Sequence, residues 1–140
     1  MTIGLASDHR GYRVKNFLKD SLYMYDVIDY GTDTEDSVDF PLYAKKLGTA
    51  INSGEVDLGI AICGTGIGMS IAANKIDGIV AAKVNTANEA KLCREHNMAN
   101  VMTLAEYTEN LFEIVDAFIN TEPSKEERHI RRHDKIMNIK

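Results

Sequence analysis

The sequence predicts a doubly wound α/β fold: five parallel strands in one sheet, helices on both faces, and a helical extension at the C-terminus. Three observations point there. Strand-like and helix-like segments alternate five times along the chain. The strand-like segments are short continuous apolar runs, as expected of strands buried on both faces. A glycine-rich turn, Cys63 to Ser70, follows directly on one of these runs and opens a helix. Right-handed crossovers then give three layers, with ligands expected beyond the carboxyl ends of the strands.

Each element has its own signal. Thr2–Ser7 is short and apolar and runs into Asp8-His9-Arg10-Gly11. From Tyr12 the spacing becomes helical, with Val14, Phe17, Leu18 and Leu22 three and four apart. Asp26–Tyr30 reads as a second strand, closed by Gly31 and the polar stretch Thr32–Ser37. Pro41 suits the first turn of a helix through Asn52, with Leu42, Ala44, Leu47 and Ile51 on its apolar face. Asp57–Cys63 is the third strand, followed by a helix over Gly68–Asn74 and a strand at Ile79–Val84. Thr86 is placed to cap a helix running through Glu95. Asn100–Leu104 is the fifth strand, and helices over Thr108–Asn120 and Lys125–Asn138 flank Pro123.

The 140 residues make one domain of ordinary size, with 44% hydrophobic and 26% charged residues. A net charge of -5 argues against general affinity for nucleic acid, whose phosphates demand a basic surface. No apolar run approaches membrane-spanning length, and no leader-like segment precedes the first strand. The two cysteines, Cys63 and Cys93, make a poor disulfide framework and read as thiols in a reducing, cytoplasmic setting. No repeat or linker divides residues 1–140.

Where ligands should sit, three segments stand out: Asp8-His9 after the first strand, the turn after the third, and the segment after the fourth. Gly64, Gly66 and Gly68 let the backbone turn tightly and approach a ligand. The helix behind them offers unpaired N–H groups and partial positive charge, suited to a phosphate, a carboxylate or an enediolate oxygen. Cys63 at this mouth is expected to ionise more readily than a free thiol. A dinucleotide fingerprint is a poor fit, because the glycines fall at every second residue and outside the first strand–helix unit. Spacing alone also admits a bland reading, in which the glycines serve packing and Cys63 is inert.

On their positions alone, several other residues stay open. Arg128 and Arg132 are four apart on a helix and share a face. They suit a phosphate fork or a solvated basic face, and Arg131 suits the latter. His96 suits proton transfer near neutral pH, or a helix C-terminus favoured by the dipole. Asp8 suits catalysis or the capping of the first helix. His129 and His133, also four apart, lack an acidic partner for a metal.

Together, five segments resemble one known family. They are Asp8-His9-Arg10-Gly11-Tyr12, Ser37-Val38-Asp39-Phe40-Pro41, the run from Cys63 to Lys75, Arg94-Glu95-His96-Asn97, and Arg128-His129 followed by Arg132. In that order they resemble the ribose-5-phosphate isomerase B family, which includes the galactose-6-phosphate isomerase subunits. The resemblance covers nearly the whole chain. It implies a Rossmann-like fold and a homodimer, or a tetramer, with active sites at the subunit interface and no metal or other cofactor. The implied reaction moves a proton between C1 and C2 of an aldose phosphate through a cis-enediolate.

By this resemblance Cys63 is the base, of the cysteine rather than the glutamate type, and the N–H groups from Gly64 to Ser70 steady the enediolate. His96 assists ring opening, helped by Thr65 and Asp8. His9, Gly64, Gly66, Gly68, Ser70, Asn97, Arg128 and Arg132 bind the substrate and its phosphate. The implied substrate is ribose 5-phosphate, taken to ribulose 5-phosphate as in the pentose phosphate pathway. The alternatives are a six-carbon aldose phosphate such as allose or galactose 6-phosphate, and a non-catalytic phosphosugar-binding module. Two departures bear on this choice. Leu104-Ala105-Glu106-Tyr107 stands where the family often has a glycine and then an arginine, and Val80 where arginine is frequent.

Overall fold

The computed structural model describes residues 1–139. The chain alternates strand and helix: β1 Thr2–Ser7, α1 Tyr12–Ser21, β2 Asp26–Asp29, α2 Phe40–Asn52, β3 Leu58–Cys63, α3 Ile67–Asn74, β4 Ala81–Lys83, α4 Ala87–Glu95, β5 Val101–Ala105, α5 Leu111–Asn120 and α6 Glu127–Met137. All strand pairs are parallel, in the order β2-β1-β3-β5-β4. The expected five-stranded Rossmann-like sheet is therefore present, with the helical extension as α6.

Central strands are apolar throughout because both their faces are covered. β3 and β5 are buried along their whole length. With a side-chain period of two, Leu58, Ile60 and Ile62 join the cluster of α1, α4 and α5, together with Met102 and Leu104. Ala61 and Cys63 fall on the opposite face, with Ala44, Leu47 and Met69 of α2 and α3. That second face is built from small residues. Gly4 pairs with Gly59 in register, and a Cβ on either would lie within 3 Å of Leu47. Leu47 thus fills the hole the two glycines leave, which lets α2 lie close over β1 and β3.

Some expected boundaries and faces shift. Leu42 and Phe17, expected on buried faces, are 52% and 46% exposed. Helical spacing marks the direction of an apolar stripe but not how much of its width is covered. β4 is shorter than expected because it is an edge strand whose ladder is interrupted. The Asn100 side chain takes the Val80 N–H, and the Asn74 side chain brackets Ala81. α5 begins three residues late, after Asn110, whose left-handed backbone (φ 57°) breaks the approach. Thr86 caps α4 as expected, accepting from Glu89 N–H, while the Glu89 carboxylate reaches back to Asn85 N–H.

Candidate active site

Strand order decides where a ligand can enter. From β1 the chain moves outward to β2, then crosses back over to β3, so β1 and β3 are neighbours whose connections leave in opposite directions. The crevice beyond their carboxyl ends is the switch point of the fold. Asp8-His9 leaves β1 there, and the Cys63 turn leaves β3.

The turn is built residue by residue. Gly66 has φ 79°, and a Cβ on it would lie 3.0 Å from the Leu104 backbone. This conformation directs the Gly66 N–H to Cys63 Sγ, 3.2 Å away. Thr103, a polar residue inside the apolar β5, donates its hydroxyl to the Gly66 carbonyl at 2.9 Å and is fully buried. Thr65 Oγ1 accepts the first helical N–H, from Ile67. The Ser70 N–H is taken by the Gly66 carbonyl, whereas the amides of Gly68 and Met69 have no acceptor among the described residues. The packing explanation suffices for Gly66, and for Gly68, where a Cβ would lie 2.8 Å from the Phe40 ring. It does not suffice for Gly64. A Cβ there would meet only the Arg10 stem, at 3.8 Å, so the space beside Gly64 is left open by the protein itself.

Asp8 is buried, and its Oδ1 accepts from Arg10 N–H (2.9 Å) and Gly11 N–H (3.0 Å). It therefore shapes the loop between β1 and α1 and does not cap α1, whose N-cap is Gly11 with no side-chain hydrogen bond. Val38 N–H donates to His9 Nδ1 at 3.2 Å, which leaves the proton of a neutral ring on Nε2.

The remaining site candidates sit elsewhere. His96 is the C-cap of α4 and precedes β5, at the amino edge of the sheet. Its ring stacks on His129 of α6 at 4.5 Å between centroids. His129 in turn is buried and bonded to Ser124 Oγ at 2.7 Å. Arg94 holds the loop in shape. It donates to the Ala99 carbonyl at 2.7 Å and lies over the Phe118 ring, and burial lowers its pKa from the ordinary value. Asn97 is exposed in that loop. Arg128 pairs with Glu126 at 2.8 Å, Arg132 lies one turn further along α6, and Arg131 is tied to Glu127 on its own helix. One strand length, roughly 15 Å, separates this edge from the Cys63 edge. A single chain thus carries two groups of candidates: Asp8, His9, Cys63, Gly64, Thr65, Gly66, Gly68 and Ser70 at one edge, and His96, Asn97, Arg128 and Arg132 at the other.

One expectation is corrected outright. The segment after the fourth strand does not border the crevice, because β4 is the edge strand beyond β5. The segment after β5 borders it instead: Glu106 N–H donates to the Gly64 carbonyl, and Glu106 accepts both Nε and Nη2 of Arg10 at 2.8 Å. The Arg10 hydrogen bond holds the Glu106 carboxyl below the usual carboxylate range. Arg10, Thr103 and Glu106 were not among the sequence candidates. Each had a visible signal: Thr103 as a hydroxyl within a buried strand, Arg10 within the Asp8–Tyr12 motif, and Glu106 within the departure at Leu104–Tyr107. The two cysteines are free, as expected. They lie on opposite faces of the sheet, which rules out a Cys63–Cys93 redox pair, and burial pushes the Cys93 thiol up to about 11.

This layout is that of a Rossmann-like α/β protein with polar groups gathered at its switch point. The comparisons with known proteins agree. The sequence model of the Ribose/Galactose Isomerase family matches residues 3–136. Ribose-5-phosphate isomerase B of Escherichia coli is 43% identical over 102 residues, covering 71% of this chain and 68% of the relative. The structure of ribose-5-phosphate isomerase B from Clostridium thermocellum superposes with a TM-score of 0.93 at 45% identity, covering 98% of this chain and 95% of that one. That of Mycoplasma genitalium, solved with bound ribulose-5-phosphate, gives 0.89 at 36% identity over 97% and 93% of the two chains. The chain belongs to the Ribose/Galactose Isomerase family. It is a sugar-phosphate isomerase, and so an intramolecular oxidoreductase.

Proposed function

We propose that the chain interconverts ribose 5-phosphate and ribulose 5-phosphate, a step of pentose phosphate metabolism, with Cys63 as the base. The observation that carries this reading is the Cys63 turn: a buried thiol with an amide on its sulfur, beside an open face at Gly64 and two helix amides unpaired among the described residues. In the proposed reaction the Cys63 thiolate takes the C2 proton of the open-chain aldose, and the electron pair moves to make the enediolate. The O2 proton passes to O1 within the enediolate and the thiol returns its proton to C1, leaving the ketose and the thiolate. The turn amides steady the oxygen on which charge develops, and His96 serves ring opening.

The reading includes a homodimer. His96, Asn97, Arg128 and Arg132 lie a strand length from Cys63 in one chain, and a partner supplying them completes the site. Exposed apolar side chains support such contact: Leu42 on α2, Ile67 and Ile71 on α3, and Ile130, Ile136 and Met137 on α6. Free thiols suit the cytoplasm. A six-carbon aldose phosphate remains as the second reading, favoured by Glu106 and Tyr107 at the crevice.

The test is isomerisation of ribose 5-phosphate beside a panel of six-carbon aldose phosphates, with the Cys63→Ala variant. The expected result is turnover of the pentose and a fall of about 10²–10⁴-fold in the variant with its fold intact. Turnover of hexose phosphates alone would overturn the pentose assignment. Full activity in Cys63→Ala would remove Cys63 as the base.

A further inference from the structure

Arg10 and Glu106 have no part in the chemistry above, yet they close one side of the Cys63 turn. The two Arg10 nitrogens meet the two Glu106 oxygens at 2.8 Å each, a bidentate fork. The pair joins loops from separate elements, the β1–α1 and β5–α5 connections. Both loops are tied to backbone or side chains of the crevice, Arg10 through its N–H to Asp8 and Glu106 through its N–H to the Gly64 carbonyl. The Arg10 stem also passes beside Gly64. Its guanidinium reaches from there to Glu106, with 60% of the side chain exposed.

A cleft of about 390 Å³ opens beside it, lined by His9, Arg10, Arg13, Glu35, Glu106 and Tyr107. Three cationic or potentially cationic side chains face this cleft, and both arginines are engaged by carboxylates, Arg13 by Glu35 at 3.2 Å. A carboxylate and a phosphate compete for the same planar fork of an arginine. An exposed pair is also weak enough for a dianion to break.

We propose that Arg10 is an anion-binding residue of this site, and that Glu106 occupies it until a substrate phosphate displaces the carboxylate. The pair then sets how tightly the site takes a sugar phosphate. This deepens the sugar-phosphate reading above and rests on it. While Glu106 holds the fork, Arg10 is competent for only part of the time, and apparent affinity is reduced by that fraction.

The test is titration calorimetry of inorganic phosphate on the full chain, for the wild type, Glu106→Gln, Arg10→Gln and the double variant. Glu106→Gln is expected to bind phosphate roughly three- to fivefold tighter, and Arg10→Gln several-fold weaker. In the Arg10→Gln background, Glu106→Gln should change nothing. That arm separates a latch from the general removal of a negative charge, whose effect would persist without Arg10. The KM for the sugar phosphate should follow the phosphate affinity while kcat moves little. Unchanged or weaker phosphate binding in Glu106→Gln, or an equal gain with and without Arg10, would overturn the proposal. Both side chains are solvent-facing, and melting curves verify that the variants fold. Phosphate binding is read without turnover. A protein inactive on ribose 5-phosphate that shows this cycle keeps the latch and loses the pentose reading, and an active one with a flat cycle does the reverse.

Discussion

At Gly66 one left-handed residue aims an amide at a sulfur. An alanine there would have to hold a positive φ and press its Cβ against the Leu104–Ala105 peptide. Gly66→Ala is expected to cost about 2–4 kcal/mol of stability, measurable by urea unfolding. Its loss of activity should exceed what the unfolded fraction explains, because the N–H leaves Cys63. An unchanged rate per folded molecule would show that this amide does not serve the reaction. Thr103 supports the same turn from below through the Gly66 carbonyl. Cys63 and the glycines were plain in the sequence because they form a compact local pattern. The pairing of Arg10 with Glu106 was not, since 96 residues separate two loops that only the fold brings together.

Among the elements, α1 and β2 are joined by a charge pair inside the protein. Lys15 is 1% exposed, and its Nζ meets Asp29 Oδ2 at 2.7 Å. Burial alone would raise the Asp29 carboxyl. The Lys15 hydrogen bond, the Gly31 N–H and the charges of Lys15 and Lys19 outweigh it, so its pKa lies below the ordinary 3.8. The folded state therefore binds this proton less readily than the unfolded state. The stability gained is whole above pH 3.8 and is lost as pH falls through the lower folded value. Asp29→Asn would leave the buried Lys15 ammonium without its counter-charge, with only neutral amide oxygens, such as Asn16 Oδ1 at 3.3 Å, to accept from it. The variant is expected to lose about 2–4 kcal/mol at neutral pH and to show a flatter acid dependence of Tm. An acid profile identical to that of the wild type would show that Asp29 does not carry this part of the pH response. The pattern of alternation announced both elements, but a lysine at a helical position gives no sign of being buried until its partner strand is known.

Over the whole molecule, the two ends of the strands carry the two groups of residues proposed above to form one site across two subunits. If each site draws on two subunits, two inactive variants should rescue one another. Cys63→Ala and His96→Asn chains, mixed and reassembled, would form heterodimers with one site doubly altered and one intact. Random mixing then restores about a quarter of the wild-type sites. No recovery on mixing, with exchange of subunits verified by mass, would mean that Cys63 and His96 do not act across an interface. Among the described residues no helix is long and apolar enough to cross a membrane.

The sequence by itself determined the order and kind of the elements, the buried character of β3 and β5, and the Cys63 turn. Each is a local matter: apolar runs, helical spacing and glycines act over a few residues. Only the tertiary structure decided that β5 rather than β4 borders the crevice, that Arg94 is a loop brace, and that Glu106 occupies Arg10. It also decided that His96 and Arg128 stand away from Cys63 within one chain. Strand order is settled by how whole layers pack and cross over, and neighbouring strands need not be consecutive ones. No window of sequence contains that energy, because it belongs to contacts between segments far apart along the chain.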